Sequence, residues 1–377
     1  MISCGEPSGD LYAGALATEI LRACPGAVIT GFGGAHLEAA GAALIAHFTG
    51  LSVTGLVEVA RLLPRTYATY RRLVREAETN PPDVFVAVDF PDFNFTLARA
   101  MKKRGIPVVY YISPQLWAWR RGRMRTMGRI ADRVLVIFPF EESIYRQAGI
   151  PVQWVGHPLL DLARPPQPRG PFLVGAGLDP NRPVVALLPG SRRNEVRAIL
   201  PGLARAAALI RERVPQAQFL VARAPHLSDD LFEPLSVTGR GGVAVVHGEA
   251  DTVLASADVA LVASGTVTVQ AALHECPMVV VYRLSPWTYR LGKPFVHVDT
   301  YAMANLVAGE RIVPELIQDE FTPDAVAAEA LKVLNDPAHA QRVRAALRSV
   351  RGRLGAPGAS QRAAKAVLDV ATRSKKL

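Results

Sequence analysis

The chain has 377 residues, a length that favours two domains. Half of its residues are hydrophobic and 20% are charged, which excludes a disordered polypeptide. The formal net charge of +10 fits a nucleic acid, a nucleotide or an acidic membrane surface as partner, or only a solvated basic surface, and does not choose among them.

The sequence carries no pattern of a membrane span or a secretory signal. No run of about 18 residues is free of charges and turn residues, and Met1–Asp10 has no basic segment before an apolar one. We therefore expect a cytoplasmic protein. Cys4, Cys24 and Cys276 fit no metal or redox spacing, and no cluster of His, Cys and Asp does either, so we expect reduced thiols, no catalytic metal and no cofactor.

The first half alternates short apolar runs with helical patterns. Three continuous runs have the Val, Ile and Tyr content of parallel strands buried on both faces: Asp83–Asp89, Pro107–Ile112 and Arg133–Phe138. Two helical segments lie between them: Phe95–Arg104 and Met124–Ala131. This alternation predicts a doubly wound α/β domain over residues 1–160.

The segment Gly5–Asp10 (GEPSGD) follows the first predicted strand and opens a helix. Its glycines allow a ligand to approach the backbone, and the helix N-terminus offers free N–H groups. Capping of the same helix by Ser8 or Asp10 is the simpler interpretation of this segment taken alone.

The segment Asp89–Asn94 (DFPDFN) stands at the carboxyl end of a predicted strand. A carboxylate there, Asp89 or Asp92, can take the proton of a sugar hydroxyl as general base. The alternative is that Asp92 or Asn94 caps the next helix, which accounts for one acid better than for two.

The segment Ser113–Trp119 (SPQLWAW) follows the next strand, and four arginines come after it: Arg120, Arg121, Arg123 and Arg125. Tryptophan beside arginine is typical of stacking on nucleic acid bases and of a membrane interface. A buried Trp next to a solvated basic helix face is the third alternative.

A Pro- and Gly-rich segment, Asp161–Asn181, indicates a linker and the entry to a second domain, residues 161–345. The apolar runs then resume: Pro183–Leu188, Ala217–Ala222, Val243–His247, Asp258–Ala263 and Pro277–Tyr282. Helices are predicted at Glu195–Arg213 and Val267–His274. Residues 346–377 are predicted to form a C-terminal helix and basic tail that pack back on the first domain.

Two polar turns follow strands of the second domain. In Leu188–Glu195, Gly190 permits a tight turn, Ser191 offers a hydroxyl, and Arg192 can form paired bonds with phosphate oxygens. Ser264–Thr266 opens a helix, and its hydroxyls are either helix caps or part of a diphosphate site. Together the two turns favour a nucleotide diphosphate. His157, alone in a Gly-His-Pro turn, is interpreted as structural.

These motifs, in this order, resemble the lipid-A-disaccharide synthase family from Gly5 to about Gln318. The segments that carry the resemblance are GEPSGD (5–10), DFPDFN (89–94), SPQLWAW (113–119), PFE (139–141), GHP (156–158), LPGSR (188–192), SGT (264–266), CPMVV (276–280) and NLVAG (305–309). The resemblance implies a GT-B fold, with two Rossmann-like domains, a cleft between them and a helical C-terminus.

The resemblance also implies a metal-independent, inverting transfer of 2,3-diacylglucosamine from UDP-2,3-diacylglucosamine. The acceptor would be the 6-hydroxyl of 2,3-diacylglucosamine 1-phosphate, and the products a β-1,6 disaccharide and UDP. It makes Asp89 the first candidate for general base and Asp92 the second. The residues implied in donor binding are Ser191, Arg192, Ser264, Gly265, Thr266, Gln270 and Asn305. Those implied on the acceptor side, in the first domain, are Glu6, Ser8 and Trp117.

Position 270 departs from the family, which usually has an acid four residues after the Thr of the SGT turn. Gln270 can still accept a hydrogen bond from a ribose hydroxyl, but without the help of a charge. We therefore expect weaker donor binding, or compensation by another group such as Glu275.

Because both implied substrates are lipids, the net positive charge can be explained by peripheral binding to the acidic inner membrane. The apolar segment Leu51–Leu63, with Arg61, Arg65, Arg71 and Arg72 in and after it, is either an interfacial helix or an ordinary amphipathic helix on the sheet. The enzyme alternatives are a UDP-GlcNAc 2-epimerase and a muropeptide glycosyltransferase. An RNA-binding protein is disfavoured, because the basic residues are spread along the chain and no RNA-binding motif occurs.

Overall fold

The structure is a computed structural model that describes residues 1–48, 56–117, 122–164, 166–238, 242–284 and 300–374, with backbone alone at 56–62. These residues form two compact units. The first contains Met1–Leu162 and the chain from Leu354 onward, and the second contains the described residues between Ala163 and Arg353.

The first unit is built on a parallel sheet whose strands run in the order β3-β2-β1-β4-β5-β6-β7. The strands are β1 Ile2–Ser3, β2 Thr30–Gly33, β3 Ala43–His47, β4 Phe85–Val88, β5 Val108–Tyr111, β6 Arg133–Val136 and β7 Val152–Trp154. The helices are α1 Pro7–Ala23, α2 Ala35–Ala39, α3 Leu56–Thr79, α4 Pro91–Lys103, α5 Arg123–Ile130, α6 Pro139–Gln147, α7 Leu159–Leu162 and, at the end of the chain, α15 Ala359–Ser374.

The central strands of this sheet are buried on both faces, as their apolar composition predicts. The aromatic side chains of Phe85, Tyr110 and Tyr145 fill its core. Helices α1, α4 and α6 each begin with a proline, whose fixed φ suits the first helical position and which has no N–H to leave unpaired.

The second unit repeats the arrangement with the order β10-β9-β8-β11-β12-β13. Its strands are β8 Val184–Leu188, β9 Gln218–Arg223, β10 Val243–His247, β11 Val259–Ala263, β12 Met278–Tyr282 and β13 Glu315–Ile317. Its helices are α8 Arg169–Gly175, α9 Arg193–Arg213, α10 Ala250–Ser256, α11 Val267–Leu273, α12 Met303–Ala308, α13 Pro323–Asn335 and α14 Pro337–Arg353, with 3₁₀ turns at Asp229–Thr238 and Gln318–Glu320. The prediction of two doubly wound α/β domains is confirmed.

Two segments at the ends of the second unit add detail. Part of the stretch interpreted as a linker is helical, because α8 buries Phe172 and Leu173 against the unit. After α14, helix α15 belongs to the first unit and packs on α1. Asp161 fixes its start by accepting hydrogen bonds from the Gly358 and Ala359 N–H groups, at 2.6 and 2.9 Å. The predicted helical C-terminus is thus confirmed.

None of the helices in the described part of the chain has the length and apolarity that a bilayer span requires. Helix α3 is amphipathic, and from Leu63 onward its side chains are described. Leu63 and Tyr67 are 59% and 60% exposed on it. Residues 51–55 of the predicted interfacial segment lie outside the described residues.

Candidate functional site

In each sheet the strand order reverses once, and the predicted polar turns lie at these two switch points. In the first unit β1 and β4 are neighbours, and the chain leaves them through Gly5–Glu6 and Asp89–Phe90. In the second unit β8 and β11 are neighbours, and the chain leaves them through Pro189–Arg192 and Ser264–Thr266. Open α/β sheets bind ligands at this switch point, outside the carboxyl ends of the strands.

The turn after β4 is strained. Asp89 and Phe90 have φ of +44° and +48°, a left-handed conformation that side-chain-bearing residues rarely adopt. Two such residues in succession persist only where their surroundings hold them, and they occur preferentially at functional sites. The Asp89 N–H donates to the Tyr111 carbonyl at 3.1 Å, and the Asp89 carbonyl accepts from Tyr110 Oη at 2.9 Å.

Asn94, which is 0% exposed, stabilises this turn through several side-chain hydrogen bonds. Its Nδ2 donates to the carbonyls of Val88 (3.2 Å), Asp89 (2.9 Å) and Ser3 (3.1 Å), and its Oδ1 accepts from Ser3 Oγ at 2.7 Å. One amide therefore joins the ends of β1 and β4 across the switch point. The interpretation of Asn94 as a cap of α4 is wrong, because Phe90 holds the N-cap position and Asn94 lies inside the helix.

The second predicted carboxylate has a different environment. Asp92 lies in the first turn of α4, where a negative charge is favourable, and its side chain is 70% exposed. Its Oδ1 forms an ion pair with Arg123 Nη1 at 2.7 Å. Asp89, by contrast, is half-buried directly at the strand end.

The Gly5–Asp10 segment packs on the same turn. A Cβ atom at Gly5 would overlap the Phe90 ring, so glycine is required there. The simpler interpretation, in which Asp10 caps α1, is wrong. Its carboxylate accepts from three N–H groups at the start of α2, those of Gly34 (2.7 Å), His36 (2.9 Å) and Leu37 (3.2 Å). Glu6 holds the N-cap position of α1, and Ser8, half-buried, lies in its first turn.

Trp117 is the last described residue of its loop, since residues 118–121 lie outside the described ranges. Its ring packs edge-on against Phe140, with centroids 5.0 Å apart. Its Nε1 donates to Glu141 Oε1 at 3.3 Å. Burial raises the pKa of Glu141 to about 7, against the hydrogen bonds from Trp117 and two backbone N–H groups, which lower it. Glu141 is not among the predicted site residues, although it belongs to the PFE segment.

His157 is fully buried, and burial lowers its pKa to about 3, so the ring is neutral. Its Nδ1 accepts from the Leu159 N–H at 3.2 Å, and the ring packs against Tyr12 and Phe138. These contacts give the ring a structural role, in line with its interpretation from the sequence.

In the second unit, the turn after β8 is organised by Glu195. Glu195, in the first turn of α9, accepts two hydrogen bonds from Arg192: one from its N–H to Oε2 at 3.3 Å and one from its Nη1 to Oε1 at 2.7 Å. Gly190 has φ of +114°, and a Cβ there would lie 2.7 Å from Glu195 Oε2, so only glycine fits. Ser191 is exposed beside it. The guanidinium is thus held at a helix N-terminus, a favourable place for an anion.

Ser264, Gly265 and Thr266 form the turn after β11, and all three are at least partly exposed. Thr266 holds the N-cap position of α11 without a capping bond from its own side chain. Ser264 Oγ donates to the Tyr301 carbonyl at 3.4 Å. Gln270, one turn further along α11, is partly exposed.

Glu275, the residue expected to compensate for Gln270, lies away from the Ser264–Thr266 turn. It follows the C-terminal end of α11 and precedes β12. It therefore lies at the amino ends of the parallel strands, whereas the Ser264–Thr266 turn lies at their carboxyl ends. Arg348 holds its carboxylate through Nε at 3.1 Å and Nη2 at 2.6 Å, which lowers the pKa of Glu275.

Asn305 is buried, and its amide is hydrogen-bonded within the unit. Nδ2 donates to the Val313 carbonyl and to Glu315 Oε1, at 2.9 and 2.7 Å, and Oδ1 accepts from the N–H groups of Ile312 and Val313. Glu315 in turn accepts from the N–H groups of Tyr301 and Ala302, which precede α12. A hydrogen bond from this amide to a ligand would have to replace one of these bonds.

Within the described ranges, no group of three His, Cys, Asp or Glu side chains has the arrangement of a metal site. The polar groups gathered at the switch points are carboxylates in the first unit and an arginine with hydroxyls in the second. That combination suits proton transfer in one unit and anion binding in the other.

The sequence profile described as lipid-A-disaccharide synthetase matches residues 1–370. The lipid-A-disaccharide synthase of Geobacter metallireducens is 44% identical over 371 residues, which are 98% of this chain and 96% of that protein. The enzyme of the same name from Koribacter versatilis is 42% identical over 379 residues, 99% of this chain and 98% of its own.

Solved structures with low sequence identity share the fold. The UDP-GlcNAc 2-epimerase of Neisseria meningitidis, bound to UDP-GlcNAc, has a TM-score of 0.65 at 12% identity, covering 98% of both chains. The calicheamicin glycosyltransferase CalG4 has a TM-score of 0.61 at 19% identity, covering 99% of this chain and 98% of its own. These similarities confirm the predicted GT-B architecture. With the profile match along nearly its whole length, the chain belongs to the lipid-A-disaccharide synthetase family and is a glycosyltransferase.

Proposed function

We propose that the protein transfers 2,3-diacylglucosamine from UDP-2,3-diacylglucosamine to the 6-hydroxyl of 2,3-diacylglucosamine 1-phosphate. The anomeric carbon is inverted, and the products are the β-1,6-linked precursor of lipid A and UDP. The observation that carries the proposal is the family match over residues 1–370, which includes both switch-point turns of both units.

Asp89 is the proposed general base. Its carboxylate takes the proton of the acceptor 6-hydroxyl as the oxygen attacks the anomeric carbon. The strained turn and the amide of Asn94 support this role, because they fix the backbone from which the carboxylate projects. Asp92 is the second candidate, and its exposure and its ion pair with Arg123 make it the weaker one.

The second unit is the proposed donor site. Arg192, Ser191 and the Ser264–Thr266 turn bind the diphosphate of UDP and stabilise the charge that develops on it as the bond to the sugar breaks. Gln270 accepts a hydrogen bond from the ribose, and Asn305 belongs to the same site. The two hydrogen bonds from Arg192 to Glu195 support its part, since an arginine already fixed in place loses less freedom on binding.

The acceptor site is proposed to involve Glu6, Ser8 and Trp117 in the first unit. We further propose that the protein is cytoplasmic and associates peripherally with the inner membrane. The exposed Leu63 and Tyr67 on α3, beside the exposed Arg65 and Arg71, support this association. Sedimentation with anionic liposomes at low and high salt tests it, and a failure to bind at low salt would refute it.

UDP release by the purified protein in detergent is the test of the main proposal. UDP-2,3-diacylglucosamine is supplied with and without 2,3-diacylglucosamine 1-phosphate, and release is expected only when both are present. Conversion of UDP-GlcNAc without a lipid acceptor would favour a 2-epimerase instead. Steep, salt-dependent binding of RNA without any binding of UDP would favour the RNA-binding alternative.

A further inference from the structure

Glu141 is a buried carboxyl that the proposed mechanism does not use. It lies in the first turn of α6 and is 1% exposed. Among the described residues, no Lys or Arg forms an ion pair with it. Buried carboxyl groups are normally paired with a cation, so a different reason must account for this one.

The contacts of Glu141 join two segments of the chain. Oε1 accepts from Trp117 Nε1, and Oε2 accepts from the N–H of Phe138, both at 3.3 Å. The first bond ties down the loop after β5, and the second caps α6. Phe140, one residue earlier on the same helix, packs edge-on against the Trp117 ring. Residues 140 and 141 together therefore fix the position and the orientation of Trp117.

The charge of Asp89 makes a small addition to the effect of burial in raising the pKa of Glu141. Two other titratable groups near it carry no charge near pH 7. Tyr145, on α6 itself, is buried with a pKa raised above its ordinary value, and His157, against the Phe138 ring, is neutral. The next acid along the chain, Glu142, accepts from the Trp154 N–H and pairs with Arg146. Among the described residues, Asp89 is thus the charged side chain that contributes to raising the pKa of Glu141.

We propose that Glu141 is a positioning residue for the transfer reaction: its carboxyl holds Trp117 in place for the acceptor. The inference rests on the proposed function for the role of Trp117. The carboxyl itself does not touch the substrates. With a pKa of about 7, it gains its charge within the physiological range, so the strength of its hydrogen bond to Trp117 varies with pH there.

The link between Glu141 and Trp117 can be tested without any substrate. In ¹⁵N-labelled protein the Trp117 indole N–H resonance is assigned by its loss in Trp117→Phe and followed from pH 5.5 to 8.5. It should shift downfield with a midpoint near 7, because the ionised carboxylate is the stronger acceptor. In Glu141→Gln, which keeps an acceptor but cannot ionise, the shift should be absent. A Trp117 resonance that does not move in the wild type, or moves equally in Glu141→Gln, would overturn the proposal.

The effect on the acceptor is tested by the pH profile of kcat/KM for acceptor-dependent UDP release. The wild-type rate should rise across pH 7, because the hydrogen bond that holds Trp117 strengthens as Glu141 ionises, and Glu141→Gln should lack that rise. Trp117→Phe removes the indole N–H, so this variant should lack the rise as well, whatever the loss in overall rate. A reduction by the same factor at every pH in Glu141→Gln would leave a structural role only and refute the effect on the acceptor. If the wild type releases no UDP at all, the proposed function fails, while the indole titration still decides whether Glu141 holds Trp117.

Discussion

The two units share a strand order, but the side chains at their switch points differ in type and in burial. In the first, Asp89 lies in a strained turn held by a buried amide, and burial shifts the pKa values of Glu141 and His157. In the second, the corresponding turns are exposed helix N-termini with an arginine and hydroxyls. Strained and buried groups suit proton transfer, whereas exposed N-termini suit the binding of a large anion.

The largest effect that this contrast predicts concerns Asp89. Asp89→Asn should lower acceptor-dependent turnover by about 10²–10⁴-fold, because the amide cannot take a proton. UDP binding, measured by calorimetry, should be unchanged, since the proposed donor site lies in the second unit. Asp92→Asn is the matched control and should cost far less. Near-normal turnover of Asp89→Asn would remove it from the role of base.

The buried histidine should make the first unit sensitive to acid. Its pKa is lowered to about 3, so as the pH falls below 6.5 the unfolded chain takes up a proton that the folded protein does not, and stability is lost. Between pH 7 and 4 the free energy of unfolding should fall by about 3 kcal/mol more in the wild type than in His157→Asn. Urea unfolding followed by tryptophan fluorescence measures this difference, and parallel pH dependences would contradict it.

The strained turn should depend on Asn94. Asn94→Ala leaves the carbonyls of Val88, Asp89 and Ser3 without that donor, and should lower the free energy of unfolding by about 3 kcal/mol and reduce turnover. Ser3→Ala is the control, because it loses one neutral hydrogen bond and should cost about 1 kcal/mol. An equal loss of unfolding free energy in the two variants, measured by urea unfolding, would show that the turn does not depend on the Asn94 amide.

In the second unit, Arg192→Ala should raise the Kd of UDP about tenfold through the loss of a charged hydrogen bond. Arg193→Ala is a matched control one residue away. Its guanidinium is bonded to Ser228 and Asp230 on the surface, so its loss should leave the Kd within about twofold. Equal effects of the two substitutions would indicate general electrostatic attraction rather than a built site.

The smallest predicted effect is a gain. Gln270→Glu restores the acid that the family usually has and should tighten UDP binding about threefold, since an ionised acceptor makes the stronger hydrogen bond. Glu275→Gln should leave the affinity unchanged, because Arg348 holds that carboxylate at the other end of α11. Weaker UDP binding in Glu275→Gln would place Glu275 in the site after all.

Much of the candidate site could be located from the sequence, because strands and turns are indicated by residues that are neighbours along the chain. Runs such as Pro183–Leu188 and Asp258–Ala263 contain β8 and β11, and the polar residues that follow them had to lie at strand ends. The order of the strands was not readable in the same way. That β1 lies beside β4, and β8 beside β11, follows from how the whole sheet packs.

The partners of individual side chains were the least predictable part. Asp10 caps α2 rather than its own helix, and Glu275 pairs with Arg348, 73 positions away along the chain. Nothing in the local pattern distinguishes Asn94 from a helix cap or Glu141 from a solvated acid. Each takes its role from a group brought near it by another segment.

The sequence by itself determined the two α/β domains, the turns that carry the candidate residues and the family, because hydrophobic runs, turn residues and ordered motifs are properties of neighbouring positions. Only the tertiary structure decided which carboxyl is half-buried in a strained turn, which is paired at the surface and which is buried with no cation beside it among the described residues. The physical reason is that burial, dielectric environment and hydrogen-bond partners depend on segments distant along the chain, and these set the pKa of a carboxyl such as Glu141.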